Sequence, residues 1–175
     1  MINRIIVLIV LSFSIISCGD NFGTVKQKRE TTFYLIRHAE KDRSNPDEQN
    51  PNLTAKGIER SIHWASYFDS IPLNSIYTTN YNRTKETITP VSESKGITPK
   101  IYSPNEIDIE QFIQANYGKS VLISGHSNTT PNMVNKILGE EKFSDMSDSD
   151  NKSLFVIKVV DSKTNIQIRS VVLKQ

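Results

Sequence analysis

The chain has a single cysteine, Cys18, in 175 residues. No intramolecular disulfide can form, and any fold must rest on packing. Charge of one sign is also scarce. The sequence has 21 Lys and Arg against 19 Asp and Glu, a formal net charge of +2. That gives no electrostatic case for nucleic acid as a partner, and any anion site must be local. There is no internal repeat and no sign of a second domain, and the length suits one domain with a real core. The longest apolar run, Ile5–Ile16, is interrupted only by Ser12 and Ser14 and is too short for a comfortable membrane span.

That run belongs to a segment unlike the rest of the chain. Met1–Arg4 carries one cation, the apolar stretch follows, and Ser17 precedes Cys18. A charged start, a short apolar region and a small residue describe a secretory signal over residues 1–17. The placement of the lone cysteine resembles the lipobox of bacterial lipoproteins, which implies lipidation of Cys18. The expectation is an exported protein, lipid-anchored on the periplasmic or cell-surface side of a bacterial membrane. Residues 18–30 read as a polar tether and residues 31–175 as the folded domain.

Within that domain strands and helices alternate. Thr31–Ile36 reads as a strand rich in aromatic and β-branched residues, followed by a polar loop, Glu40–Asn52. Thr54 is a natural cap for a helix whose apolar side is Ile58, Ile62, Ala65 and Phe68, with Trp64 as an alternative. His63 falls off the centre of that stripe and reads as a surface or half-buried residue. Ser75–Thr78 is a second strand. The next helix presents Tyr81, Thr84, Ile88 and Val91 inward, with Pro90 expected to kink or loosen it. Lys100–Tyr102 is a third strand and Glu106–Asn116 an acidic helix. Ser120–Ser124 is the clearest central strand. A helix capped at Thr129 or Thr130 follows, with Pro131 in its first turn and Gly139 at its end. Two strands, Leu154–Val160 and Ile166–Leu173, flank a turn at Asp161–Asn165. The pattern gives an α/β fold, a three-layer α/β/α sandwich with a mostly parallel sheet and a C-terminal strand hairpin.

Two predicted strand ends carry a histidine, Arg37-His38 and Gly125-His126. A third strand end leads into Arg83 in the stretch YNRTKET. In an open α/β sheet, ligands bind outside the carboxyl ends of the strands. Two histidines and two arginines on one rim suit a dianionic phosphoryl group, because the planar guanidinium fork binds phosphate oxygens in pairs. Backbone N–H groups at the helix start Thr129–Pro131 would add to such a pocket. Lys41 and Arg43, in the loop after His38, read as solvated charges.

RHAEK after a strand, YNRTKET at a helix start and GHSN after a strand, in that order, resemble the histidine phosphatase (phosphoglycerate mutase-like) superfamily. The small size resembles its compact branch. The resemblance implies a phosphomonoesterase in which His38 is the nucleophile, taking the phosphoryl group as phosphohistidine. Arg37, Arg83 and His126 complete the phosphate pocket, with Asn128 beside them as a substrate-binding residue. The expected partner is a small phosphorylated substrate, with no cofactor and no metal. Many members read RHG where this chain has Ala39, a change tolerated where no positive φ is needed.

A leaving alcohol needs a proton. Glu106, Asp108, Glu110 and Glu40 are the candidate donors, and the sequence does not choose among them. Other readings are a metal hydrolase using His38, Glu40 and His126, a non-catalytic lipoprotein that binds a phosphorylated ligand, and a phosphatase for phosphohistidine or phosphoanhydrides, whose leaving groups need no acid.

Overall fold

A computed structural model describes residues 29–173. The signal segment, Cys18 and nearly all of the tether lie outside the described residues. Six strands form one mixed sheet in the order β3-β2-β4-β1-β5-β6. These are β1 (Thr31–Arg37), β2 (Ser75–Thr78), β3 (Lys100–Ile101), β4 (Ser120–Gly125), β5 (Ser153–Val160) and β6 (Lys163–Ser170). The first four in the order run parallel, and β5 and β6 are antiparallel. Four helices, α1 (Ala55–Phe68), α2 (Asn82–Lys95), α3 (Ile109–Ala115) and α4 (Thr129–Leu138), complete the described elements. Among the described residues no helix is long and apolar enough to cross a membrane.

Strand side chains alternate between the two faces of a sheet, and here both faces are covered. Ile36, Leu122, Leu154 and Val156 join Trp64 and Phe68 of α1 and Ile88 and Val91 of α2 in one core. Phe33, Leu35, Val121 and Ile123 join Phe112 of α3 and Met133, Val134 and Ile137 of α4 in the other. The expected three layers are therefore present.

Register sets the site. Arg37 lies opposite Gly125, and Thr78 opposite Ser124, so β1, β4 and β2 end level with one another. The residues that follow, His38, His126 and Thr79, come off one rim of the sheet.

Several local expectations change. The buried side of α1 is Gly57, Arg60, Ser61, Trp64 and Phe68, while Ile58 and Ile62 are 52% and 55% exposed. The cause is a close approach: a Cβ on Gly57 would lie 2.3 Å from the Glu40 carbonyl oxygen. Small residues must face that chain, which turns the isoleucines outward. Thr54 caps α1 as expected, accepting the Gly57 N–H at 3.1 Å, and His63 is half-buried. Tyr81 is exposed rather than inward, and α2 continues past Pro90 to end at Gly96 in the left-handed region. The acidic helix begins only at Ile109, because Asp108 accepts the Gln111 N–H and is its cap. Asn128, not a threonine, caps α4. The hairpin turn is tighter than expected, with positive φ at Asp161 and Ser162 and β6 starting at Lys163.

Candidate active site

The exits of β1, β4 and β2 surround a cavity of about 410 Å³. Arg37, His38, Arg83 and His126 all line it. So do Asn128, Tyr81 and Thr79.

His38 is nearly all fixed by backbone. Its N–H donates to the Gly125 carbonyl at 2.9 Å. Its own carbonyl accepts the Asn151 side-chain amide at 2.9 Å. Ring Nδ1 lies 2.7 Å from the Ala39 carbonyl, which only accepts, so Nδ1 carries the proton and Nε2 keeps a free lone pair. Burial first, and then the charges of Arg37, His126 and Arg83, push His38 down to about 3, against the lift from the Ala39 carbonyl. The ring is neutral at physiological pH. Ala39 itself has no positive φ, so a side chain fits there. Its N–H donates to Thr87 Oγ1 at 2.8 Å.

His126 is set by side chains. The Thr84 hydroxyl lies 2.9 Å from the Thr79 and Tyr81 carbonyls, so it spends its proton on them and accepts from the Thr79 hydroxyl at 2.9 Å. Thr79 Oγ1, its own proton spent, must accept from His126 Nε2 at 2.9 Å. Nε2 therefore holds the proton, and Nδ1 is the nitrogen left for the cavity. Burial, then Arg83, Arg37 and Lys41, push His126 down to about 4. The two imidazole rings are 5.5 Å apart, edge to face. Tyr81 stands 5.0 Å from His126, and the Arg83 guanidinium stacks on Tyr81 at 4.4 Å.

The arginines are poised for an anion. Arg37 Nε and Arg83 Nε and Nη1 are buried without a hydrogen-bond partner. Buried donors are almost always paired, so three orphans on one cavity mark a place for acceptor oxygens. The remaining Arg37 donors hold the loop before β5: Nη1 reaches the Ser147 carbonyl at 2.7 Å, and Nη2 the Asp148 carboxylate at 2.8 Å.

The four carboxylates considered as proton donors lie elsewhere. Both Glu40 oxygens are bound by Arg60, at 2.8 and 2.7 Å, and that pairing keeps the carboxyl below its ordinary range despite burial. Asp108 caps α3, Glu110 lines a separate cavity, and Glu106 is not on this one. Among the described residues Asp148 is the one carboxylate on its wall. It lies between Arg43 and Arg37, which hold it below the ordinary carboxylate range. Glu40's commitment to Arg60 also takes it out of the His38, Glu40 and His126 metal set, and among the described residues no three His, Cys, Asp or Glu side chains converge as ligands. Of the two loop cations expected to be solvated, Lys41 lines the cavity, while Arg43 is exposed and pairs with Asp148 at 2.9 Å. Thr79 and Asp148 lie in no motif, and Tyr81, though it opens YNRTKET, reads from its spacing as a core residue of the helix. The level strand ends bring in Thr79, and a long loop brings in Asp148.

The model of the histidine phosphatase superfamily (branch 1) matches residues 33–108. No curated protein sequence matches the chain significantly. Among solved structures, a mycobacterial glucosyl-3-phosphoglycerate phosphatase superposes with a TM-score of 0.66 at 9% identity, covering 82% of this chain and 100% of that one. The protein histidine phosphatase SixA complexed with tungstate gives 0.62 at 15% identity, covering 79% and 96%. A phosphoserine phosphatase mutant from Entamoeba histolytica, in complex with phosphoserine, gives 0.62 at 13% identity, covering 81% and 98%. At these identities the structural likeness speaks for the fold.

Proposed function

We propose that this chain, which belongs to the histidine phosphatase superfamily, is a phosphohydrolase that works through a phosphohistidine on His38. The observation that carries this reading is the bare Nε2 of His38, its ring pinned by the Ala39 carbonyl, on a cavity with three unpartnered guanidinium nitrogens. A phosphoryl group seated on Arg37 and Arg83 presents phosphorus to that nitrogen. Nε2 attacks, the bond from phosphorus to the leaving oxygen breaks, and that oxygen keeps the electron pair. The guanidiniums hold the equatorial oxygens and neutralise their charge. Water then attacks phosphorus, the N–P bond breaks, and neutral His38 returns with inorganic phosphate. The arriving dianion supplies the negative charge that His126 lacks in the free enzyme. His126 then takes a proton on Nδ1 and donates it to a phosphoryl oxygen.

A finer reading follows from the acids. Asp148 is held ionised between two guanidiniums, so the cavity has no protonated carboxyl to give to an alkoxide. Leaving groups that depart without a proton fit best: phosphoanhydrides, phosphohistidine and aryl phosphates. The enzyme should turn over an aryl phosphate much faster than an alkyl phosphate, be indifferent to a chelator and be inhibited by vanadate, which mimics five-coordinate phosphorus. Indifference to vanadate, or loss of activity on chelation, would remove this reading. Failure to hydrolyse any phosphate would leave a phospho-ligand-binding protein. We also propose export and lipid anchoring through Cys18, supported by Met1–Cys18. Labelling with a fatty acid in a bacterial host, lost in Cys18→Ala, tests it.

A further inference from the structure

Beside the catalytic cavity lies a smaller one of about 260 Å³. The two share Arg37, His38, Lys41 and Asp148, and the smaller adds Arg43 and Lys56. The chain that carries its cations is held in place. Lys41 forms an antiparallel bridge with Leu53, and the next N–H, of Asp42, donates to the Asn52 carbonyl at 2.8 Å. Lys56 is in the first turn of α1, whose start is tied to the Glu40 carbonyl through the Thr54 N–H at 2.9 Å. Arg43 is held by Asp148 at 2.9 Å. Glu40 also lines this cavity, with both of its oxygens taken by Arg60.

Asp148 is the carboxylate that answers these charges. It sits between the guanidiniums of Arg37 and Arg43, and its side chain is 71% exposed. A position for an anion thus exists next to the nucleophile, and an exposed acid of the chain's own fills it. Burial first, then Arg83 and Arg43, push the Lys41 ammonium below the ordinary range, against the lift from Asp148.

We infer that the smaller cavity is a second anion site, where Arg43, Lys41 and Lys56 take a second phosphate of the substrate and displace the Asp148 carboxylate. The inference rests on His38 as the phosphoryl acceptor, because the two cavities meet at His38 and Arg37. A singly phosphorylated substrate leaves Asp148 in place. A doubly phosphorylated one exchanges a single negative charge for up to two, and phosphate oxygens suit the guanidinium fork.

Calorimetric titration of the full chain with methylphosphonate and with alkane bisphosphonates of increasing spacer length tests this. The best bisphosphonate should bind about tenfold more tightly than methylphosphonate, with one optimum spacer, as two fixed sites require. Lys56→Ala should reduce that advantage and leave methylphosphonate affinity and aryl phosphate turnover unchanged, and Arg43→Ala with Lys56→Ala should abolish the advantage. Asp148→Asn should enlarge it. Equal affinity for mono- and bisphosphonates, or an advantage that survives the double substitution, would overturn the inference. Binding is read without turnover, so the two readings separate. Hydrolysis of aryl phosphate with no bisphosphonate advantage removes the second site alone. An advantage without hydrolysis removes the phosphatase reading alone.

Discussion

β1 and β4 leave the sheet side by side, and each ends in a histidine, yet the two rings are held by different means. His38 is anchored almost wholly to main chain: the Gly125 and Ala39 carbonyls fix its backbone and its ring. His126 is oriented by a relay of side chains, Thr79 on Thr84, with Tyr81 packed edge to face with it. The tautomer of His38, the proposed nucleophile, therefore follows from the path of the chain. The tautomer of its partner depends on two hydroxyl groups. One ring is part of the fold, and the other is adjustable without disturbing the fold.

The largest effect that probes this contrast is loss of the anchored ring. His38→Ala should lower aryl phosphate turnover by on the order of 10⁴-fold or more, with an unchanged circular dichroism spectrum. A loss of tenfold or less would mean that the anchored histidine is not the nucleophile.

Both rings are neutral when folded, so acid should expose them together. His38 and His126 are pushed from 6.5 down to about 3 and about 4. Between those values and 6.5 the unfolded chain binds protons that the folded chain refuses. Stability is therefore lost as pH falls from 6.5, and above 6.5 these groups contribute no pH dependence. At pH 5 the loss should be on the order of 1–2 kcal/mol per histidine. Urea midpoints at pH 7.5 and pH 5 measure it, and His38→Ala with His126→Ala should flatten the difference. An equal slope in that double variant would contradict the neutral pair.

The smallest effect addresses the relay. Thr79→Val removes the acceptor of His126 Nε2–H, a hydrogen bond worth about 1 kcal/mol, or about fivefold in rate. The acid limb of the pH–rate profile should move with it, and nitrogen chemical shifts should report mixed tautomers at His126 and a single one at His38. A drop in rate with both imidazoles unaltered would assign Thr79 a structural role only.

The strand ends and their charged residues were legible because strand, turn and cap chemistry are local. RH, YNR and GHSN each follow a short apolar run, and the parallel register does the rest. What escaped was non-local. The isoleucine spacing in α1 pointed inward, but the approach of Gly57 to the Glu40 carbonyl decides which side of the helix seats. Glu40 looked available until Arg60, twenty residues on, claimed both of its oxygens. Asp148 lies in a serine-rich loop with no periodicity, and only Arg37 and Arg43 together give it a place. Tyr81 fits the helical spacing of the core residues, yet it stands at the start of α2 and packs edge to face with His126.

The central claim is that Nε2 of His38 accepts the phosphoryl group. Its most direct measurement is a brief reaction of the full chain with a phosphorus-labelled phosphate ester, stopped in acid or in alkali. The expected result is a protein-bound label that is lost in acid and survives alkali, maps to the peptide containing His38 and is missing in His38→Ala. Undiminished turnover by His38→Ala, or a label that resists acid, would contradict it.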